Sequence, residues 1–517
     1  MPSLIFKVTS DEFQNASKQC DIVPVHAIVE GSSIRPIDAL RNLRQVAQPA
    51  FTFESESPEA GASRYAYVCP KIEYVIRTGQ YESHGDINPI AALREHLESR
   101  SVAPIDGLPD LVTGAFGYVA YEAIKHFEPS VGELPSDPTN SPTSALVFPR
   151  ELLVFDRALD QLHIIIFTQR TTDQFESAVS RISDIHDSLE ALSSSESEPT
   201  ITEIQSSLHA TTEKQTSQCE YSGMVKKARE AIINGELIQV VLGQRVETTT
   251  TANPIDIYEQ LSTMNPSPYM YMLDLGDMQL IGASPELMLR TTGNTAAIHP
   301  IAGTRPRGAT AEEDLLNEAE LLSNEKESAE HVMLVDLARN DLGRVCQPGS
   351  VIVKSFKHIE RYSHVMHLVS RVEGQLTDDN DGIAAFKAGF PIGTLSGAPK
   401  IRSIQLISEL EPAGRGPYCG GIGWFGANGD VDTGTIIRSI VLRDGTAHVQ
   451  GGAGIVFDSD PEAENLESLQ KAKAPLLAIA RAEAMPHNNE QPAEHWRSTE
   501  NIPTQSPHTA TMLINGE

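Results

Sequence analysis

The sequence of 517 residues has few cysteines and no long apolar run. Its five cysteines are scattered, and none lies in a Cys-x-x-Cys pair, which argues against a disulfide framework or a zinc site. No stretch approaches the roughly 18 apolar residues that a transmembrane helix needs, and the first residues lack a basic segment followed by an apolar one. These absences predict a reduced, cytoplasmic protein with no membrane contact.

Positive charge is also scarce. The chain carries 40 lysines and arginines against 70 aspartates and glutamates, a formal net charge of −30. A field of this sign argues against nucleic acid or an anionic membrane as the main partner. It still permits a small anionic substrate, because a local cluster of basic residues or a metal ion can override the global field.

The first part of the chain reads as strands separated by turns. Residues 189–220, rich in Ser, Thr, Gln and Glu, predict a polar linker or surface excursion. An N-terminal region over residues 1–188 therefore precedes the linker. The strand-like runs within it are 22–25, 65–68, 151–155 and 162–167.

After the linker, helices and strands are mixed. Turns such as Asn428-Gly429-Asp430 favour antiparallel hairpins, so we predict an α+β fold rather than a doubly wound one. Composition predicts a disordered tail over residues 485–517. Helices are predicted over 221–234, twice within 314–340 and over 461–482, and strands over 239–242, 269–273, 363–372 and 420–456.

Two acidic pairs occur on predicted helices. Glu327 and Glu330 are three residues apart and precede the apolar run 332–335, which we predict to be the buried side of that helix. Glu464 and Glu467 repeat the spacing on the final helix. Like charges beside an apolar stripe are costly unless a cation compensates them, and Mg²⁺ prefers such oxygen ligands. For either pair alone, a solvated helix face is the commoner interpretation.

Other segments combine glycine with polar side chains. Three glycine-rich turns could bring backbone N–H groups to an anion, although each alone is more often a tight turn and none matches a known nucleotide-binding fingerprint. They cover residues 300–308, 393–400 and 451–454. His367, on an apolar strand, is either a core histidine or an acid–base group. Arg438, in a similar strand, requires a carboxylate partner.

Together these segments resemble the chorismate-utilising enzymes, and within them the large subunits of anthranilate synthases. The resemblance runs from about Tyr221 to Ala482, and its motifs are highly specific as a set. In the N-terminal region it is weaker, through residues 51–55 and 64–65. The motifs occupy residues 300–308, 325–343, 362–372, 393–400 and 452–456.

The resemblance implies a fold and a reaction. The fold would be a layered α/β sandwich with large, mainly antiparallel, orthogonally packed sheets, and residues 221–484 would form the chorismate-binding catalytic region. Ammonia would add at C2 of chorismate as the 4-hydroxyl leaves, and elimination of pyruvate would then give anthranilate. Such an enzyme is an Mg²⁺-dependent lyase of tryptophan biosynthesis.

The resemblance also assigns residues. Glu330 and Glu467 would hold Mg²⁺, with Glu327 and Glu464 close by. Glu286 would be the acid that helps the hydroxyl leave, and His367 the proton-transfer residue of the elimination. The residues implied to contact chorismate are Gly303, Thr304, Tyr418, Arg438, Gly452, Ala453, Gly454 and Lys471.

Two positions discriminate among the reactions of the family. Isochorismate and salicylate synthases carry a water-activating lysine where this chain has Gln239, and aminodeoxychorismate synthases typically have lysine where it has Ala302. Both positions favour anthranilate, although an aminodeoxychorismate synthase and, less so, an isochorismate or salicylate synthase remain alternatives. No cysteine lies in the Gly-x-Cys-x-Gly elbow of glutamine amidotransferases. The resemblance therefore implies a separate glutaminase subunit, in a heterotetramer.

The N-terminal region would supply part of a feedback site for tryptophan. The matching residues are Glu54, Ser55, Pro268, Tyr269 and Met270. A carboxylate and a hydroxyl suit the ammonium group of tryptophan, and proline and tyrosine could enclose its indole. The chain departs from the family's usual motif at Thr52, Phe53 and Ala66, and Ser468 replaces a usual threonine. A catalytically inactive, tryptophan-sensing protein is a competing hypothesis, against which Glu330, His367 and Glu467 argue.

Overall fold

The computed structural model describes residues 3–45, 48–56, 63–170, 172–193, 213–214, 216–362 and 365–485. None of the helices in these ranges is long and apolar enough to cross a membrane. The α-helices are α1 (Ser10–Ala16), α2 (Pro36–Leu43), α3 (Pro89–Glu98), α4 (Ile124–Phe127), α5 (Thr172–Ser193), α6 (Gln218–Ile233), α7 (Pro254–Met264), α8 (Ala311–Ser323), α9 (Glu325–Gly343), α10 (Gly382–Gly389), α11 (Gly393–Ser396), α12 (Lys400–Leu410) and α13 (Pro461–Glu483).

Strands make up the rest of the regular structure, together with short 3₁₀ turns. The strands are β1 (Ile5–Phe6), β2 (Ile22–Glu30), β3 (Ala50–Glu56), β4 (Ser63–Thr78), β5 (Ala115–Val119), β6 (Ser144–Asp156), β7 (Gln161–Gln169), β8 (Glu213–Lys214), β9 (Gln239–Thr249), β10 (Tyr269–Asp274), β11 (Met278–Ser284), β12 (Leu287–Thr292), β13 (Thr295–Ile298), β14 (Ile301–Pro306), β15 (Ile352–Arg361), β16 (Val365–Gln375), β17 (Gly397–Ala398), β18 (Gly421–Phe425), β19 (Val431–Thr435), β20 (Ser439–Arg443) and β21 (Thr446–Ile455).

The strands pair antiparallel and form two sheets that share the long strands β4 and β6. In the first sheet the order is β1-β2-β7-β6-β4-β3-β10-β11-β20-β21-β9, with β8 and β17 on the outer edge of β9. In the second it is β4-β6-β5-β18-β19-β12-β13-β16, where β16 also pairs with β14 and β15. The two sheets diverge where the β4–β6 register shifts between residues 68 and 74.

An aromatic core fills the space between the sheets. Phe51 and Phe53 alternate along β3 and therefore share one face of the first sheet. The ring centroid of Phe116, on the second sheet, lies 4.2 Å from that of Phe51 and 4.9 Å from that of Phe53. Trp424 closes the cluster, 5.7 Å from Phe116. Each such buried side chain contributes about 1.5–3 kcal/mol, so this layer holds the two sheets together.

Helices cover the outer faces of both sheets. Leu40, Ile182 and Ile479 bring α2, α5 and α13 onto the first sheet. A second apolar cluster joins α3, α9, α10 and α12 to the second sheet. The layered antiparallel α+β fold predicted from the sequence is therefore confirmed. On α9, Leu334 and Val335 are buried but Val332 is 46% exposed, so the prediction that residues 332–335 are all buried is wrong at Val332, which faces away from the sheet.

Several element boundaries differ from the prediction for local reasons. Helix α6 begins at Gln218 rather than Tyr221, because Ser217 and Glu220 form a capping box there. Helices α8 and α9 are separate because Asn324 lies between them and caps α9. Helix α5 extends to Ser193, into the predicted linker, most of which lies outside the described residues, as do Ser363, His364 and the tail beyond Met485.

The regions before and after the predicted linker share both sheets. Strand β3 pairs with β10, and β5 pairs with β18. Residues on either side of the linker therefore lie side by side in the same sheets. The residues predicted to bind tryptophan, which come from both regions, can therefore lie close together.

Candidate active site

A bulge in β14 positions His367. Ala302 pairs with Leu368 and Thr304 with His367, so Gly303 has no partner in the ladder. Its φ of +58° favours glycine, and a Cβ at this position would lie 3.1 Å from Oε2 of Glu327. The bulge turns the Gly303 carbonyl towards the imidazole, and its oxygen lies 3.1 Å from Nδ1 of His367. Thr304 Oγ1 lies 3.0 Å from the same nitrogen.

These contacts set the tautomer of His367. A carbonyl oxygen can only accept a hydrogen bond, so Nδ1 carries the proton and Nε2 keeps its lone pair. Nε2 is buried and has no hydrogen-bond partner among the described residues. Burial lowers the pKa of His367 to about 4, and the charge of Arg438 opposes protonation further. His367 is thus a neutral imidazole with one basic nitrogen available.

Glu286 has the opposite character. It lies in the turn between β11 and β12 and is 4% exposed. Its Oε1 accepts a hydrogen bond from Oγ1 of Thr394 at 2.7 Å. Burial raises the pKa of Glu286 to about 7, although Thr394, Lys471 and Arg438 all act to lower it. This carboxyl group can therefore hold a proton near neutral pH and release it to a ligand.

Helix α9 presents Glu327 and Glu330 to the same region. Oε1 of Glu330 accepts a hydrogen bond from Nε2 of Gln239 at 3.0 Å. Burial raises the pKa of Glu330, and the charges of Glu327 and Glu467 raise it further. Glu327 is paired with Arg305, with 3.1 Å between Oε1 and Nη1. The two carboxylates therefore differ, because Glu330 has only an amide donor.

Helix α13 contributes the second acidic pair. Glu464 is 8% exposed, and burial raises its pKa, with a further contribution from Glu467. Glu467 is about half exposed and lies 2.8 Å from Nζ of Lys471. Lys471 also donates to the Gly452 carbonyl at 2.9 Å, which ties α13 to β21.

The donor set fits a hard cation. The charges of Glu327 and Glu467 raise the pKa of Glu330, and that of Glu467 also raises the pKa of Glu464, so the four glutamates lie in one region. Mg²⁺ commonly takes one or two protein carboxylates and keeps several waters, so a partly open site with Glu330 and Glu467 suits it. Among the described residues, the only group of three ligand atoms within 4.8 Å lies elsewhere, at His186, Asp187 and Glu190. The four glutamates are therefore not a closed cage.

Glycines of β9 and β21 make room for Tyr418. Gly243 and Gly452 are directly opposite each other in the ladder. A Cβ on Gly452 would lie 2.9 Å from the Tyr418 hydroxyl, and one on Gly243 would lie 3.3 Å from the Tyr418 ring. Gly454, further along β21, lies beside Gln239 and Glu330, since a Cβ there would meet both. The predicted segment Gly452–Gly454, which includes Ala453, thus lies next to Tyr418 at one end and next to Glu330 at the other.

Arg438 completes the basic side of the site. It has a φ of +50° and follows β19, and burial lowers the pKa of its guanidinium. The nearby charge of Glu286 opposes that effect. Arg438 lies between β19 and β20, and the prediction that it lies in a strand is wrong. Among the described residues no side chain forms an ion pair with it, so a partly buried cation is available to an anionic ligand. The structure therefore places a cation, an acid and a base in one neighbourhood.

Three residues of this region were not found from the sequence. Thr394 was noticed only as part of a glycine-rich turn, although its hydroxyl holds Glu286. Glu411 and Arg415 form a buried ion pair, with 2.6 Å between Oε1 and Nη2. Their Glu-x-x-x-Arg spacing was the only available signal, and it usually indicates an exposed helix pair.

The residues predicted to bind tryptophan lie on or next to β3 and β10. Glu54 and Met270 are directly opposite each other, and Oε2 of Glu54 accepts a hydrogen bond from Nη2 of Arg157 at 2.6 Å. Ser55 and Pro268 are buried nearby. The ring of Tyr269 lies in the core between the sheets, where its hydroxyl donates to Oδ1 of Asp432 at 2.8 Å. The structure therefore brings Glu54 and Met270 together and places the Tyr269 ring on the other face.

Sequence comparison agrees with this geometry. Residues 48–477 match the family described as chorismate binding enzyme. Over 477 residues the chain is 42% identical to anthranilate synthase component 1 of Streptomyces coelicolor, covering 90% of this chain and 91% of that protein. Over 496 residues it is 39% identical to anthranilate synthase component 1 of Acetivibrio thermocellus, covering 92% and 99%.

Solved structures show the same architecture. The crystal structure of anthranilate synthase component I from Streptococcus pneumoniae superposes with a TM-score of 0.70 at 35% identity, covering 81% of this chain and 93% of that one. MenF, the menaquinone-specific isochorismate synthase from Escherichia coli, gives a TM-score of 0.66 at 18% identity, covering 91% and 98%, and shows the shared fold alone.

Proposed function

The chain belongs to the chorismate binding enzyme family, and we propose that it is the large subunit of an anthranilate synthase. In the proposed reaction ammonia forms a bond to C2 of chorismate, the ring double bonds shift, and the 4-hydroxyl leaves as water. A proton is then lost from C2, and the enolpyruvyl group leaves C3 as pyruvate, so that the aromatic anthranilate remains. The two relatives and the Streptococcus pneumoniae structure described above are named anthranilate synthase component 1 or I, at 35–42% identity.

The observation that carries the proposal is that the pKa of Glu286 is raised while the pKa of His367 is lowered. The pKa of Glu286 is raised to about 7, so its carboxyl can donate a proton to the departing hydroxyl. The pKa of His367 is lowered to about 4, so its Nε2 can accept a proton during elimination of pyruvate. Two groups whose environments drive their pKa values in opposite directions suit a reaction that needs both an acid and a base.

Chorismate is a dicarboxylate, and the site offers groups for both charges. Arg438 and Lys471 would supply the cations, and the Gly452–Gly454 segment lets Tyr418, Gln239 and Glu330 approach the backbone of β21 closely. Glu330 and Glu467, assisted by Glu327 and Glu464, would hold Mg²⁺. When bound, the ion would neutralise the ring carboxylate of the substrate and orient it towards Glu286 and His367.

Gln239 favours ammonia over water as the nucleophile. Its amide donates to Glu330 and has no basic nitrogen, so it cannot deprotonate water. Ala302, on β14, offers no amine either. Neither position therefore supports the isochorismate or aminodeoxychorismate reaction.

The test is an assay with chorismate, MgCl₂ and ammonium chloride near pH 8. We expect the fluorescence of anthranilate to appear together with stoichiometric pyruvate. An uncharged isostere, Glu286→Gln, serves as the matched negative control. Formation of 4-amino-4-deoxychorismate or isochorismate in place of anthranilate, resolved by chromatography, would overturn the proposal.

The proposal includes a glutaminase subunit. The sequence has no amidotransferase nucleophile elbow, so glutamine alone should not support the reaction of the isolated chain. We expect glutamine-dependent activity only when a separate amidotransferase subunit is added, whereas ammonium should work without it. Glutamine-dependent turnover by the purified chain alone would contradict this part of the proposal.

Tryptophan is proposed as a feedback inhibitor that binds near β3 and β10. Support comes from the direct pairing of Glu54 with Met270 and from the carboxylate of Glu54, which could accept the ammonium group of tryptophan. We expect Glu54→Gln to weaken inhibition by tryptophan about tenfold or more, since a charge-assisted hydrogen bond is lost. Inhibition curves at fixed chorismate measure this effect, and an unchanged curve would place the site elsewhere.

A further inference from the structure

Among the residues that the structure describes, no strand pairs with the middle of one edge of β9. On one side β9 pairs with β21 along its length. On the other side β17 pairs only with residues 239–240, and β8 only with residues 246–247. Between them, the buried pair formed by Glu411 and Arg415 takes the place of a strand. Nη2 of Arg415 donates to the Val241 carbonyl at 2.7 Å, and Oε1 of Glu411 accepts the Gly243 N–H at 2.7 Å.

The pair is fully buried and internally satisfied. Arg415 is 1% exposed, and its Nε and Nη2 donate to the two carboxylate oxygens of Glu411 at 2.9 and 2.6 Å. Its Nη1 donates to the Leu395 carbonyl at 2.9 Å. The guanidinium lies 4.8 Å from the ring centroid of Tyr121. Burying two charges this way is costly. The hydrogen bonds to Val241, Gly243 and Leu395 offset that cost, because apolar side chains would leave those backbone groups without partners.

What distinguishes the pair is the set of elements that it joins. Leu395 follows Thr394, whose hydroxyl holds Glu286. Gly243 lies against the ring of Tyr418, and the Arg415 guanidinium lies 5.8 Å from the centroid of that ring. One ion pair therefore fixes the positions of three groups relative to one another: the Thr394–Leu395 segment that holds Glu286, Gly243 of β9, and the ring of Tyr418.

We propose that Glu411 and Arg415 are positioning residues that set the mutual geometry of Tyr418 and Glu286 for chorismate. The inference rests on the proposed function. Neither residue is among those predicted to contact the substrate; Glu411 and Arg415 act through Gly243, Tyr418 and the Thr394–Leu395 segment. The planar, forked guanidinium is needed, because the ammonium of lysine cannot bind both carboxylate oxygens and two carbonyls in fixed directions.

The test compares Arg415→Lys with Arg77→Lys. Arg77 is a good match because it is largely buried and binds Asp277 through both Nη atoms at 2.8 Å, yet it contacts none of the predicted site residues. Three quantities are measured for each variant: the melting temperature, kcat and KM for chorismate with ammonium, and the pH profile of kcat/KM. Chorismate binding without ammonium is measured separately by equilibrium dialysis.

We expect both variants to melt at a lower temperature than the wild type. Only Arg415→Lys should also raise the KM for chorismate about 10- to 100-fold, the range of one or two lost charge-assisted hydrogen bonds, and shift the alkaline limb of the pH profile. Should Arg415→Lys fail to fold, Glu411→Gln, which can still accept the Gly243 N–H, takes its place in the same comparison.

The outcomes separate this inference from the proposed function. A wild-type protein that neither binds chorismate nor forms anthranilate would refute the proposed function. A wild-type enzyme that does both, with Arg415→Lys or Glu411→Gln unchanged in KM and pH profile and altered only in melting temperature, would overturn the positioning role.

Discussion

Glu286 and Glu411 are both buried beside the Thr394–Leu395 segment, but of the two only Glu411 forms an ion pair within the part of the chain that the structure describes. Glu286 accepts a hydrogen bond from the hydroxyl of Thr394, and burial raises its pKa to about 7. Glu411 receives a bidentate guanidinium and a backbone N–H. The difference shows how one region supports both scaffold and chemistry. A compensated carboxylate fixes geometry, whereas an uncompensated one exchanges a proton.

The largest expected effect comes from removing the uncompensated group. Glu286→Gln keeps the shape but cannot donate a proton to the leaving hydroxyl, so anthranilate formation should fall about 10²- to 10⁴-fold. Stability at pH 8 should rise by up to about 3 kcal/mol, because the raised pKa of Glu286 makes its ionisation favour the unfolded chain above pH 4.5 and fully above pH 7. Initial rates and urea denaturation at pH 8 check both effects, and a rate within tenfold of wild type would contradict the acid role.

A compensated carboxylate outside the site should behave in the opposite way. Both oxygens of Asp341 accept hydrogen bonds from Nζ of Lys400 at 2.9 Å. Asp341→Asn leaves that ammonium buried without an anion and should cost about 3–5 kcal/mol of stability, with the chorismate KM unchanged. Arg339→Gln, which breaks the exposed pair with Asp336, is the control and should cost less than about 1 kcal/mol. Equal costs for the two variants, measured by urea denaturation, would show that burial does not decide the value of these pairs.

The same distinction explains what the sequence could predict. Hydrophobic periodicity and turn residues located strands of both sheets but, among the helices, only α6, α8, α9 and α13. The motif resemblance pointed to Glu286, Glu330 and His367 and to the fold that holds them. A helix or strand can be located this way because its periodicity lies within its own segment, and a site residue can be located because its motif is present in this chain. Helix α13, for example, was predicted over residues 461–482 and spans Pro461–Glu483.

The features that were missed depend on distant packing. Glu411 and Arg415 are buried only because they occupy the unpaired edge of β9, about 170 residues earlier in the chain. Val332 was predicted to be buried with its neighbours, but it is exposed because α9 packs on the second sheet through another face, which carries Leu334 and Val335. No local pattern contains this information, because it arises when strands from separate parts of the chain form one framework.

The pH dependence of the reaction can sharpen the comparison. At a fixed concentration of free ammonia, kcat/KM should fall about tenfold per pH unit above about 7, as the carboxyl of Glu286 loses its proton. On the acid side, His367 should stay neutral down to about pH 4. Thr394→Val removes the hydrogen bond that lowers the pKa of Glu286, so it should move the alkaline limb to higher pH. A limb unchanged in Thr394→Val would mean that another group controls it.

The smallest expected effect concerns Glu330. Its carboxylate accepts a hydrogen bond from the amide of Gln239 and lies near the negative charges of Glu327 and Glu467. Its raised pKa reflects burial and the charges of Glu327 and Glu467, and a bound cation would relieve that cost. Glu330→Gln should therefore raise the Mg²⁺ concentration for half-maximal activity about 10- to 100-fold, by analogy with the loss of other groups around a metal.

Two further measurements make the result for Glu330 independent of turnover. Equilibrium dialysis or calorimetry with Mn²⁺ should show the same loss of affinity in Glu330→Gln without substrate. Glu312→Gln, an exposed carboxylate in the first turn of α8, is the matched control and should leave metal binding unchanged. If both variants bind the ion as the wild type does, the charge around Glu330 is compensated by Gln239 and the protein alone. Glu330 would then resemble Glu411, as a compensated group of the scaffold, more closely than Glu286.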